Sequence, residues 1–399
     1  MDGLMGWSRA TAACVLAIAC GPDVEVVDPD ALVLAVRTSE RLELHALDGH
    51  SHRDLGPSGW VEPPLWTPSG DAIVFPARDG HLMVHDVALD ETRTATADPR
   101  RIIELASSPS GDRVLVTHGE RDAAGVALID LASGELQEIT PAGSRDRAVR
   151  WSPRGDRFMF HRVFDEWIAE PTMVMVAEVG PAGAGTPVRL TDIPEDELVS
   201  ESAWWSYDGS WMLVADGHPE SYGRVIARSD EVERVVLDGM TIARLAMSPH
   251  ANQMFVSIDR MAPGVTFEFA EALHDLDEGT VVEFEEEHGA VFWRSASWSP
   301  TRDEIAYTID VDDGFSLRLL DLGVGEAREL ARFEKGMTSY SMDFSPDGER
   351  IAVSLEEVDS GRAELVVVDR MSGEVERVLE RANEQLTFVG WRRDGATGS

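Results

Sequence analysis

Short runs of mainly apolar residues, separated by turn-forming residues, recur along almost the whole chain. Arg113–Thr117, Arg157–Phe160 and Arg350–Ser354 are three of these runs, and each is rich in β-branched or aromatic residues. Runs of this length and composition, bounded by turns, are typical of buried β-strands. Two further apolar runs usually follow, as at Ala363–Asp369 and Glu374–Leu379. The pattern therefore predicts units of four antiparallel strands.

A short signature opens each unit with variations: in its full form it is a large apolar residue, Ser or Thr, Pro, and then a turn that contains Gly or Asp. Proline lacks the hydrogen-bond donor of a strand ladder, and glycine accepts the positive φ of a tight turn. Successive copies start 41 to 54 residues apart, a spacing typical of β-propeller blades. The signature residues are Trp66, Pro68, Pro109, Trp151, Pro153, Trp205, Pro249, Trp298, Pro300, Phe344, Pro346 and Trp391.

The two ends of the chain complement each other. Ala31–Val36, Leu42–Leu47 and His52–Leu55 have the pattern of strands two, three and four of a blade, with no first strand before them. Leu386–Trp391 has the pattern of a first strand with nothing after it. Pairing of the C-terminal strand with the N-terminal strands would close a ring and remove exposed sheet edges. We expect an all-β, single β-propeller of four-stranded antiparallel blades, with eight blades because there are eight signatures; seven is the alternative.

The best copy of the repeat resembles a known one. Aromatic-Ser-Pro-Asp-Gly followed by Arg-Ile-Ala-Val-Ser, at Phe344–Ser354, is similar to the WD-like (PD40-type) repeat of TolB and of the propeller domains of prolyl-oligopeptidase-type enzymes. The resemblance covers about residues 60–395. It implies a propeller over 31–399 in which the signature aromatic residues pack between blades. TolB-like proteins bind other envelope proteins without doing chemistry, although the same architecture also serves lyases, lactonases and peptidases.

Residues 1–20 do not belong to the repeat. The apolar run from Ala10 to Cys20 is too short to span a bilayer and fits the core of a secretory signal peptide. Its end also resembles a bacterial lipoprotein signal, in which Cys20 would become the lipidated first residue of the mature chain. Residues 21–30 would then be a tether, and the only other cysteine, Cys14, would leave with the signal. A disordered start with two incidental cysteines is the alternative.

These features predict an exported bacterial lipoprotein, periplasmic or attached to the outer membrane, that contacts membrane only through its lipid anchor at Cys20. The net charge is −38, from 35 basic and 73 acidic residues. A chain so acidic is repelled by phosphate backbones, which argues against a nucleic-acid partner. We expect a monomer whose charge keeps it soluble.

Few residues suggest chemistry. No G-x-S-x-G nucleophile turn occurs in the chain, so a prolyl-oligopeptidase activity is not expected. Asp310, Asp312 and Asp313 resemble the first half of a calcium loop, but a turn between two strands explains them equally. The first strands carry mostly Leu, Trp, Ala and Ser near the channel. We therefore predict no catalytic residues, cofactor or metal.

Four histidines are close in sequence and are candidate zinc ligands: His50, His52, His81 and His85. Zinc needs three or four ligands with supporting groups around them, which only loop packing could assemble here. Histidines in surface loops are the simpler interpretation.

Two functional hypotheses follow. The first is a non-catalytic, envelope-anchored, TolB-like scaffold that binds an envelope protein or peptide across one face or in its central channel. The alternative is a small-molecule hydrolase or lyase, similar to a lactonase, that uses acidic residues or histidines lining the channel, with or without a divalent metal.

Overall fold

Eight antiparallel blades stand in a ring in a computed structural model of the chain. The structure describes residues 32–392 except for 39–40, 49, 51, 58–63, 121, 164–171, 191–199, 219–220, 230–232, 261–267, 285–295, 313, 335, 358–359 and 383–385. The described residues form strands and turns and no helix, so they include no helix with the length and apolarity that a membrane crossing requires. The predicted all-β propeller with eight blades is confirmed.

The first four blades contain short strands whose order in each sheet follows the chain, apart from the closing strand described below. Blade 1 contains β1 (Leu32–Arg37), β2 (Arg41–Ala46) and β3 (His52–Pro57); blade 2 contains β4 (Leu65–Trp66), β5 (Ala72–Pro76), β6 (Leu82–Asp86) and β7 (Glu91–Thr94); blade 3 contains β8 (Ile102–Ser107), β9 (Arg113–Glu120), β10 (Ala123–Asp130) and β11 (Leu136–Glu138); blade 4 contains β12 (Asp146–Trp151), β13 (Arg157–Val163), β14 (Thr172–Gly180), β15 (Gly183–Ala184) and β16 (Val188–Arg189).

The second four blades follow the same order, and one long strand serves two of them. Blades 5 and 6 contain β17 (Ser200–Trp205), β18 (Met212–His218), β19 (Ser221–Arg228), β20 (Glu233–Met247), β21 (Gln253–Arg260), β22 (Glu268–Asp275) and β23 (Val281–Phe284); blade 7 contains β24 (Ala296–Trp298), β25 (Glu304–Val311), β26 (Gly314–Asp321) and β27 (Glu326–Glu334); blade 8 contains β28 (Met337–Phe344), β29 (Arg350–Glu357), β30 (Arg362–Asp369) and β31 (Val375–Ala382). Up to Met240, β20 pairs with β19 as the outer strand of blade 5. From Thr241 it pairs with β21 as the inner strand of blade 6.

The last strand, β32 (Thr387–Trp391), closes the ring. It pairs antiparallel with β1, with Leu34 opposite Trp391 and Arg37 opposite Thr387. Blade 1 is therefore completed by strands from both ends of the chain, as the sequence predicts. The pairing gives β1 a partner on each side, so its backbone groups are not left at an open edge.

The hydrophobic core lies between blades rather than within one sheet. The described residues form eight apolar clusters, and each takes side chains from two neighbouring blades. The cluster between blades 8 and 1 contains Val367 and Leu34, and the cluster between blades 4 and 5 contains Met159 and Ala203. Since eight blades in a closed ring have eight interfaces, the clusters provide an independent count of the blades. The two central strands of a blade are buried on both faces, which explains their continuous apolar runs.

The signature forms the turn between the first and second strands of a blade. In blade 4 the buried hydroxyl of Ser152 donates to Asp156 at 2.8 Å and accepts the backbone N–H of Arg157 at 3.2 Å. Gly155 in this turn has a φ of 71°, and a Cβ placed there would lie 3.4 Å from the ring of Pro109 in the turn of blade 3. The Ser and Gly of this turn therefore stabilise it and pack it against the Pro of the preceding turn.

Candidate binding site in the central channel

The residue before each signature residue lies on an inner strand or next to it, where the eight blades surround the central channel. We call these eight residues the channel ring: Leu65, Ala106, Arg150, Trp204, Ala246, Ser297, Asp343 and Gly390. Arg150 and Asp343 are exposed, while the other six are half-buried. Blades 4 and 8, which carry the two charged residues, stand four positions apart and so on opposite sides of the ring. Two of the eight residues, Arg150 and Asp343, are therefore titratable.

Arg150 owes its position to an irregularity in β12. The pairing of β12 with β13 shifts register between Arg147 and Arg150, as in a β-bulge, and Ala148 has a φ of 57°. This left-handed conformation is uncommon for a residue other than glycine. The backbone N–H of Ala148 donates to the carboxylate of Glu104 on β8 of blade 3. The neighbouring blade thus holds the bulge in place, and bulges of this kind redirect the side chains around them.

The guanidinium of Arg150 reaches the inner strand of blade 5. It donates to the backbone carbonyl of Ala203 at 3.1 Å and lies 5.9 Å from the centre of the Trp204 ring. Solvent reaches this side chain, but many protein atoms surround it. This partial burial lowers the pKa of Arg150, and the negative charge of Glu104 raises it by a smaller amount. Among the described residues Arg150 has no carboxylate at salt-bridge distance. A fixed cation thus stands beside a flat aromatic side chain.

His161 on β13 lies behind this arginine. It is opposite Arg147 in the ladder, only 8% exposed, and its Nε2 has no hydrogen-bond partner among the described atoms. Burial lowers the pKa of His161 to about 4, and repulsion from Arg150 and then from Arg147 adds to this effect. The imidazole is therefore neutral near pH 7, and the cluster carries no third positive charge.

A buried carboxylate anchors the start of β12. Asp146 is 1% exposed; it accepts a hydrogen bond from the Thr140 hydroxyl at 2.6 Å and from Nε of Arg162 at 2.8 Å. The hydrogen bond to Asp146 raises the pKa of Arg162. Because the buried carboxylate has several donors, the segment before the bulge is held rigidly. Arg150, His161 and Trp204 are thus presented by strands rather than by loops.

This arrangement suits binding better than proton transfer. A guanidinium remains protonated at neutral pH and offers five N–H donors in one plane, which match the oxygens of a carboxylate. The indole of Trp204 adds a half-buried flat surface next to it. We refer to Arg150, Trp204 and the His161 behind them as the channel cluster.

The signature aromatic residues lie at the blade interfaces. Trp205, Trp298, Phe344 and Trp391 are buried, and Trp151 is half-buried. Several of their indoles donate to the inner strand of the preceding blade: Trp66 to the Gly390 carbonyl at 3.2 Å, Trp151 to Ala106 at 3.0 Å and Trp391 to Asp343 at 3.1 Å. Pro68, Pro109, Pro153, Pro249, Pro300 and Pro346 all follow the buried Ser or Thr of a signature turn.

The four sequence-adjacent histidines do not converge. His50 precedes β3 instead of sharing a strand face with His52, whose ring stacks on His45 at 5.4 Å. His81 contacts the carbonyl of Thr96 at 3.2 Å. His85 is not a surface loop residue, because it lies in β6 at 3% exposure, where its Nδ1 is 2.9 Å from the Thr92 hydroxyl and burial lowers its pKa. Only His85 is buried, and the four histidines are held by separate contacts rather than by a shared site.

The calcium candidate is divided between a strand and a turn. Asp310 lies in β25 opposite Phe315, Asp312 is exposed in the turn to β26, and Asp313 lies outside the described residues. Within the part of the chain that the structure describes, no group of three or more His, Cys, Asp or Glu side chains is placed to hold a metal ion. Cys20 and the predicted signal and tether also lie outside the described residues.

Comparison with known proteins gives the fold but no family. No family model matches the chain, and no curated protein does. Many solved structures are similar. One is a dihydro-heme d1 dehydrogenase, with a TM-score of 0.61 and 18% identity over 94% of this chain and 78% of that one. At identities this low, the likeness extends to the fold alone.

Two further structures show the same architecture. A prolyl endopeptidase has a TM-score of 0.58 and 14% identity, and the match covers 90% of this chain but 51% of that one. The β-propeller domain of the trilobed protease from Pyrococcus furiosus has a TM-score of 0.51 and 11% identity over 92% of this chain and 98% of that one. That domain is described as having an open velcro topology, whereas β32 pairs with β1 here.

Proposed function

We propose that the protein is a non-catalytic, TolB-like propeller of the bacterial envelope that binds a protein or peptide through its central channel. The observation that carries this proposal is the placement of Arg150 beside Trp204 on adjacent inner strands. Arginine and tryptophan are the residue types that most often dominate binding energy at protein interfaces. Neither side chain is a general acid or base at neutral pH, so the pair supports recognition rather than catalysis.

The rigid framework around the channel supports the same function. Asp146 fixes the start of β12, and Glu104 of the neighbouring blade holds the Ala148 bulge. A site that is already ordered before binding loses less conformational entropy when its partner arrives. A closed ring of sheets provides such an ordered site at its centre, so binding there requires no conformational change of the strands.

Photo-crosslinking in the organism that makes the protein tests this function. A photoreactive phenylalanine replaces Leu65, which belongs to the channel ring, and in a control replaces Leu89, which is 67% exposed on the turn between β6 and β7. We expect a discrete adduct from position 65 that disappears when Arg150→Gln is added. An adduct from position 89 alone, or one that survives Arg150→Gln, would reject a partner bound in the channel.

The envelope location is part of the proposal and rests on residues 1–20. Mass spectrometry of the mature N-terminus from the producing organism should find an acylated Cys20. An intact Met1 would remove the envelope setting and leave only the binding role. The strongly acidic composition, with a net charge of −38, fits a partner that is not nucleic acid.

A small-molecule enzyme is the second candidate, and His161 is the observation that favours it. A neutral imidazole with an unpartnered Nε2 close to the channel is a group that could accept a proton. One similar structure is an oligogalacturonate lyase in complex with manganese, with a TM-score of 0.51 and 15% identity over 72% of this chain and 84% of that one. Elemental analysis of the purified protein separates the two candidates, because stoichiometric manganese or another divalent metal would favour the enzyme.

A further inference from the structure

Arg150 has no acidic partner among the described residues, although acidic residues are abundant in this chain. The chain has 73 acidic and 35 basic residues, so each base has two acids available on average. Arg53, Arg100, Arg302 and Arg370, for example, all form ion pairs. The described contacts of Arg150 are one hydrogen bond to the carbonyl of Ala203 and the face of Trp204. Most of its five N–H donors thus remain available at the channel.

Glu104, the acidic group that acts on Arg150, is already engaged. The Glu104 carboxylate accepts the backbone N–H of Ala148, and it influences Arg150 without forming an ion pair with it. Asp343 of the channel ring belongs to blade 8, across the ring, where it accepts a hydrogen bond from Ser297 at 2.9 Å. The charge of Arg150 is therefore balanced by no described carboxylate, in a molecule otherwise rich in them.

The surroundings of Arg150 select the kind of anion. A net charge of −38 penalises a dianion more than a monoanion. The planar guanidinium matches the two oxygens of a carboxylate, and the flat, half-buried indole of Trp204 suits a planar body attached to that carboxylate. His161 lies opposite Arg147 on β13, where its Nε2 is shielded from solvent.

We propose that Arg150 and Trp204 form a binding site for a monoanionic carboxylate carried on a flat or aromatic group. The guanidinium N–H groups that Ala203 does not use donate to the carboxylate oxygens, and the indole contacts the planar body. This inference rests on the proposed function, because it identifies the chemical group of the partner that binds in the channel. It does not depend on the partner being a protein, because a small carboxylate should bind by itself.

Fluorine NMR on the full chain containing 5-fluorotryptophan tests the site. There are 11 tryptophans, and Trp204→Phe assigns the relevant resonance by its disappearance. Benzoate is the probe, benzamide is its neutral counterpart, and inorganic phosphate is the competing type of anion. We expect the Trp204 resonance to shift and saturate with benzoate, and to respond much less to benzamide or phosphate. An equal response to benzamide, saturation by phosphate at the same concentration, or no response to benzoate overturns the proposal.

Arginine variants locate the charge that is responsible. Arg150→Gln should weaken benzoate binding by at least about tenfold, the usual loss for a hydrogen bond to a charged group. Arg154→Gln is the matched control, because Arg154 lies on the same blade, has a 52% exposed side chain and is placed in the signature turn. Equal losses in both variants would contradict the assignment. If Arg150→Gln does not fold, Arg150→Lys serves instead; it should bind benzoate more weakly than the wild-type protein, and unchanged affinity overturns the planar contact.

The photo-crosslinking experiment and the benzoate-binding experiment test different proposals, so one can fail while the other succeeds. Loss of the position 65 adduct in Arg150→Gln without any benzoate binding would reject the carboxylate site and leave the proposed function standing. Benzoate binding without a channel adduct would support the carboxylate site and reject the protein or peptide partner.

Discussion

The indole nitrogen of Trp391 donates a hydrogen bond to the backbone carbonyl of Asp343 at 3.1 Å. Trp391 comes from the last strand of the chain, and Asp343 lies on the inner strand of blade 8. The bond therefore joins the blade that the two chain ends complete to its neighbour. Trp391 is 7% exposed and also packs edge-on against Phe388 at 6.1 Å. One side chain thus contributes both packing and a polar link to the closure of the ring.

We expect Trp391→Ala to destabilise the protein by about 3–5 kcal/mol, because it leaves a cavity where a large side chain was buried. Trp391→Phe keeps much of the apolar volume and loses the hydrogen bond, so its cost should be nearer 1 kcal/mol plus a smaller packing loss, on the scale of about 1 kcal/mol per bond. Urea unfolding of both variants measures the contributions of the packing and of the hydrogen bond. Equal losses would mean that the hydrogen bond, not the packing, carries the closure.

The buried pair of Arg370 and Glu304 connects blades 7 and 8. The two side chains are 10% and 9% exposed, and the hydrogen bonds to Glu304 raise the pKa of Arg370. Arg370→Met should cost about 3 kcal/mol or more, since it leaves a buried carboxylate without its partner. The double variant Arg370→Met with Glu304→Leu should recover most of this loss. A double variant as unstable as the single one would show that packing rather than the unpaired charge is responsible.

His161 should make stability depend on pH. Its pKa is about 4 in the folded protein, while an unfolded chain titrates near the ordinary histidine value of 6.5. Between these values the unfolded chain binds more protons, so stability is lost as the pH falls from 6.5 towards 4. The stability lost over this pH range is about 3 kcal/mol, as calculated from the size of the pKa shift.

The variant His161→Leu removes this contribution. Urea unfolding at pH 7.5 and 4.5 should show a smaller loss of stability on acidification for His161→Leu than for the wild-type chain. The charged groups that act on His161 are Arg150 and Arg147. A variant with the same loss on acidification as the wild-type protein would contradict the assignment to His161.

Gly125 in β10 tests how closely the segment that follows β11 packs against the same blade. A Cβ at this position would lie 2.4 Å from the carbonyl oxygen of Thr140, so Gly125→Ala should cost about 1–3 kcal/mol in forced backbone shifts. A Cβ at Gly180, at the end of β14, would have no neighbouring atom within 4 Å, and Gly180→Ala is therefore the matched control. Thermal melting should separate the two variants. Similar melting temperatures would show that the segment around Thr140 shifts to accommodate the methyl group at little cost in stability.

Much of the fold could be predicted because its determinants are local. The Ser-Pro-Gly turn at Ser152 and Gly155 depends on residues within one short segment, and the apolar runs show which strands are buried. The complementary ends of the chain predict the pairing of β1 with β32. The environment of His85 could not be predicted, because its burial depends on packing between blades and not on its neighbours in the chain.

The sequence does contain one signal for the channel cluster. Arg145, Arg147 and Arg150 lie within six residues before a signature tryptophan, in a chain where acidic residues outnumber basic ones by more than two to one. A local excess of positive charge favours the approach of an anion. The signal alone could not indicate which arginine faces the channel.

The sequence by itself determined the number of blades, their order and the way the ring closes, because turn chemistry and apolar periodicity act over a few residues and repeat eight times. Only the tertiary structure decided the channel cluster. Arg150, Glu104, His161 and Trp204 come from four strands of three blades, and the bulge at Ala148 sets their geometry. That bulge is held by a carboxylate more than forty residues away, a contact that no local pattern specifies.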